Sequence, residues 1–219
     1  KQEWAKAMKN DKVTWPNVSD LKGKTIYATG QGTTPEYALR YVLAKNGINP
    51  DKDVTIEFLA EHAELAAKMV SGDVTIGLLP EPNVTSVLKG NENVREAIDL
   101  SAEWDQAAGS EGKLTMGCIV VSKKFAQEHK EELDTFLAQY QASVEFVNSQ
   151  IDEAAELIAK YEIVPSAAVA KSAIPNCNMT FIAGDEMQQA VSGFLTVLFN
   201  ANPASVGGEL PDENFYYKG

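Results

Sequence analysis

Between Lys24 and Leu100, short β-rich runs alternate with stretches whose apolar residues recur at helical spacing, and few folds accept that order. "KTIYATG" (24–30) reads as a strand. "PEYALRYVLAKNG" (35–47) is helical, with apolar residues at 38, 39, 42 and 43 and a stop at Gly47. "DVTIEFLA" (53–60) is a second strand, "AELAAKMVSGD" (63–73) a second helix, and "VTIGLLP" (74–80) a nearly continuous apolar run suited to a strand covered on both faces. "NVTSVLKGN" (83–91) is a short helix with Asn83 as its cap, and "VREAIDL" (94–100) a weaker strand. Such alternation with short connections predicts an α/β fold: a mostly parallel sheet flanked by helices.

The rest of the chain differs. "LTMGCIVVS" (114–122) predicts a strong strand, and everything after it is helical: 130–150, 152–162, 165–174 and 184–200. The expected organisation is a leader at 1–19, an α/β ligand-binding lobe at 20–122 and a helical C-terminal section at 123–219.

Charge restricts the partners. The formal net charge is −12, and no basic cluster offsets it, so no nucleic-acid partner is expected. A small anion is not excluded, because a local site can outweigh the global field. No apolar run reaches the ~20 residues of a membrane-spanning helix. Cys118 and Cys177 could pair, but the plainer reading is two buried free thiols.

The strongest local feature is "GQGTTP" (30–35), where the first strand becomes a helix. Gly30 and Gly32 permit a sharp turn, Thr33 or Thr34 can cap the helix, and Pro35 suits its first turn. The first amides of a helix lack intrahelical acceptors, so Gly32, Thr33 and Thr34 could hold a carboxylate, sulfonate or phosphate. An ordinary βα turn would look the same. The stretch is neither a dinucleotide fingerprint nor a P-loop. "LLPEPNV" (78–84) places Pro80, Glu81 and Asn83 after another strand, where ligands of parallel sheets collect, and Glu81 could accept from a ligand amine or amide. "EHAE" (61–64) could bring Glu61 or His62 to the same edge. Trp104, in "EWDQ", is a candidate stacking wall or an ordinary packed indole. With two histidines in all, no metal site or cofactor is expected, and no G-x-S-x-G or Cys–His motif supports an enzyme.

The order "DLKGKTIYATGQGTTPEYALRYVLAKNGI", "VTIEFL", "KMVSGDVTIGLLPEP" resembles one lobe of the solute-binding proteins of ABC importers. The nitrate, sulfonate and taurine binders and the thiamine-pyrimidine-precursor binders are the similar branches. Thr75 stands where those proteins commonly carry an acid. The resemblance implies a periplasmic-binding-protein-like fold and capture of a small polar or anionic solute without chemistry. It further implies delivery to an ABC permease, from the periplasm or from a lipid anchor on the extracellular face of the membrane. It implies lobe closure about hinges near 101–113 and 121–125. Family members carry further chain before "DLKGK" that forms most of a first lobe, so this chain reads as lacking it. The helices after 125 would then expose apolar surface or form a homo-oligomer. Two rivals share the architecture: a ligand-sensing domain of a transcription regulator, and a pyrimidine-precursor enzyme.

Overall fold

The computed structural model describes residues 17–109 and 112–219, so most of the 1–19 leader and part of the 101–113 hinge lie outside the described residues. The chain divides into two units, Lys1–Ser110 and Glu111–Gly219.

In the first unit a 3-10 turn, Val18–Leu21, leads into strand β1 (Thr25–Thr29). β1 pairs in parallel with β2 (Thr55–Leu59), from Thr25↔Thr55 to Thr29↔Leu59. On the other edge of β1 the Tyr27 N–H donates to the Ile76 carbonyl at 3.0 Å, and Leu78 N–H donates to the Tyr27 carbonyl at 2.8 Å. The order is therefore β2, β1, then the 76–78 segment, all parallel. The long strand expected at 74–80 is reduced to this single bridge. Gly77 gives it no side chain to pack, since a Cβ there would meet Met69 Sδ, and Pro80 and Pro82 end the pairing.

Among the described residues this unit carries the helices α1 (Thr34–Lys45), α2 (His62–Ser71), α3 (Asn83–Gly90) and α4 (Leu100–Ala108). α1 buries Ala38, Leu39, Val42 and Leu43, the stripe read from the sequence. α2 turns Leu65 and Met69 inward, i and i+4 on one face, against Val74 and Val87. It stops at Gly72, whose φ of 83° is the left-handed geometry of a C-cap.

Residues 94–99 form no strand. They lead to Asp99, whose carboxylate accepts from the Ser101 and Ala102 amides and opens α4. That helix, Leu100–Ala108, runs through most of the described part of the 101–113 stretch expected as a hinge. The sequence carried its signal, an acidic cap followed by Leu100, Trp104 and Ala108 at i, i+4 and i+8.

The second unit is helical: α5 (Lys123–Glu128), α6 (Lys130–Ser149), α7 (Ile151–Lys160), α8 (Ala167–Ala173) and α9 (Gly184–Ala201). Its core gathers Ala154, Ala155, Ala170 and Ile174, and small residues bring α7 and α8 close together. α9 buries Ala190, Phe194 and Leu198. The tail is tied down by Tyr217 Oη donating to Asp134 at 3.2 Å and Lys218 pairing with Asp185 at 2.9 Å.

The strand expected at 114–122 does not form, because no strand of its unit lies among the described residues to complete a ladder. Val120 is 79% exposed and Met116 61%. Cys118 is therefore an exposed thiol rather than a buried strand residue; Cys177 is partly buried, and both are free. Phe136, Tyr140 and Leu157 are also exposed on the helices.

Candidate ligand-binding edge

Three loops follow the carboxyl ends of the parallel segments: 60–62 after β2, 30–34 after β1 and 80–83 after the bridged segment. Parallel pairing places all three on one edge, with the 30–34 loop between the others.

The central loop is shaped by glycine. Gly30 has φ 72°, and a Cβ there would lie 2.6 Å from Thr33 Oγ1. The Thr33 N–H and hydroxyl both donate back to the Gly30 carbonyl, at 3.0 and 2.6 Å. Thr33 is the N-cap by backbone geometry, yet its side chain caps no helix amide. "TTPE" spells a capping box, but Glu36 reaches past the cap residue to the Gly32 amide, 2.7 Å from its Oε2. Glu36 Oε1 in turn accepts from Arg40 Nε at 2.7 Å, and Arg40 Nη1 reaches Asp51 at 2.8 Å. Burial opposes the Arg40 charge, but the hydrogen bonds from Glu36 and Asp51 outweigh it, and the guanidinium pKa is raised.

The loop amides therefore divide into two sets. Those of Gly32 and Thr33 are taken by the protein itself. Those of Thr34 and Glu36, at the positive end of α1, meet no acceptor among the described residues.

On one side, Thr29 Oγ1 lies 2.6 Å from His62 Nδ1. Thr29 is 2% exposed, so the bond fixes the exposed imidazole beside the central loop. On the other side, Glu81 is half-buried, and its carboxylate accepts from the Thr85 N–H and hydroxyl, both at 3.0 Å. Glu81 thereby caps the first turn of α3. Pro82 holds the N-cap position and Asn83 is the first helical residue, which corrects the expected Asn83 cap. Burial raises the Glu96 carboxyl above the usual carboxylate range, and the Asp99 and Glu81 carboxylates push it the same way.

Residues 7–172 match the profile of a family described as ABC transporter, phosphonate, periplasmic substrate-binding protein. The chain belongs to that family. It is a family of substrate-binding proteins, not of enzymes. Solved structures of similar fold include an ABC transporter protein from Parabacteroides distasonis, with a TM-score of 0.70 and 21% identity over 95% of this chain. The periplasmic aliphatic sulphonate binding protein SsuA from Escherichia coli gives 0.69 and 20% over 95%. The alkanesulfonate-binding protein SsuA from Xanthomonas axonopodis pv. citri, bound to MOPS, gives 0.60 and 20% over 92%. The chain spans 68%, 63% and 63% of their respective lengths. No curated protein matches it.

Gly32, Thr33 and Thr34 share the edge with Pro80, Glu81 and Asn83, as the alternation of strands and helices predicted. Trp104 does not offer an exposed face there: it sits on α4 with 0% exposure, its ring 4.5 Å from that of Tyr41. His62 opens α2 directly after β2, on the edge to which "EHAE" was expected to bring Glu61 or His62. The two grooves described in the second unit, one between α7 and α8 beside Asp152 and Lys171, the other beside Leu195 and Phe215, include no residue of this edge. Among the described residues no group of His, Cys, Asp or Glu has the arrangement of a metal site, and no helix is long and apolar enough to cross a membrane.

Proposed function

We propose that this chain captures a small organic anion, of the sulfonate or phosphonate class, at the strand-end edge of its first unit and presents it to an ABC permease without chemical change. The observation that carries this reading is the pair of amides, Thr34 and Glu36, at the positive end of α1, which meet no acceptor among the described residues. They receive the anionic head. The Thr34 hydroxyl and the imidazole held by Thr29 add donors beside them, and Glu81 faces a polar or amine group at the other end of the ligand. The anion class agrees with the family description and with the sulfonate ligands named for two proteins of similar fold. The protein works outside the cytoplasm, in the periplasm or lipid-anchored on the cell surface, where the permease meets it.

A thermal-shift screen with alkanesulfonates, alkylphosphonates, nitrate, carboxylates and pyrimidines tests this. Stabilisation of about 2.7 kcal/mol is expected when ligand exceeds its Kd by about 100-fold. No shift with any solute, together with turnover of a pyrimidine, overturns the reading in favour of an enzyme.

A further inference from the structure

We draw no further inference here: the strongest candidate, the uncharged apolar segment 114–122 that leads into α5 with Met116, Ile119 and Val120 exposed, carries none, because nothing in the structure shows what covers it.

Discussion

The indole of Trp104 lies against the ring of Tyr41, with centroids 4.5 Å apart and planes tilted by 36°. One residue belongs to α4 and the other to α1, so this contact fastens the last helix of the first unit to the helix that opens the candidate edge. Trp104 is fully buried, and Trp104→Ala is expected to cost about 3–5 kcal/mol in denaturant unfolding. Trp104→Phe, which keeps a ring against Tyr41, should cost clearly less. Equal losses for the two variants would show that a smaller ring recovers none of the stability and that only contacts made by the full indole contribute.

Gly30 has a positive φ and lies close to the Thr33 hydroxyl. Gly30→Ala is expected to destabilise the chain by more than about 1 kcal/mol, because alanine meets both the left-handed backbone and Thr33 Oγ1. The same variant should weaken anion binding in calorimetry, since Thr33 must shift. Gly32 is a milder position: its φ is also positive, at 75°, but an added Cβ meets open space.

The Asp53 carboxylate accepts from the Asn49 amide at 2.9 Å and pairs with Lys22 at 3.3 Å. The backbone hydrogen bond, then Lys22, holds its pKa below the ordinary carboxylate value. A depressed folded-state pKa contributes stability that is present above the unfolded pKa and is lost as pH falls through the folded one. Asp53→Asn should therefore lower the thermal midpoint near neutral pH and flatten its decline in the acid range. An acid limb identical to that of the wild type would remove Asp53 as its source.

Ala155 is 2% exposed where α7 meets α8, beside Ala170. Ala155→Leu overfills that contact and is expected to cost about 1–3 kcal/mol by chemical denaturation. Ala155→Ser, close in volume, should cost less.

Val120 is largely exposed on an uncharged segment without regular secondary structure, beside Ile119 and Val121. Val120→Lys is expected to change stability by less than about 0.5 kcal/mol and to reduce binding of a hydrophobic dye. A loss of several kcal/mol would show instead that the residue is covered in solution.

Periodicity placed the helices well where an apolar stripe was sharp, as at Ala38–Leu43, and it placed β1 and β2 where β-branched residues cluster between turns. It misjudged "LTMGCIVVS" because strand propensity measures fit to a neighbour, and no strand is available to that segment among the described residues of its unit. It passed over α4 because the tryptophan was weighed as a ligand wall rather than as the middle of an i, i+4, i+8 face.

By itself the sequence determined the local chemistry: a glycine-permitted turn, a helix opening rich in hydroxyls and amides, and the parallel order that sends three loops to one edge. Only the tertiary structure decided which of those amides stay open. Thr33 folds its hydroxyl back to Gly30, and Glu36, braced by Arg40 and Asp51 from beyond the helix, takes the Gly32 amide. Hydrogen bonds are satisfied by whatever acceptor the packed chain brings within about 3 Å, and spacing along the sequence does not report that distance.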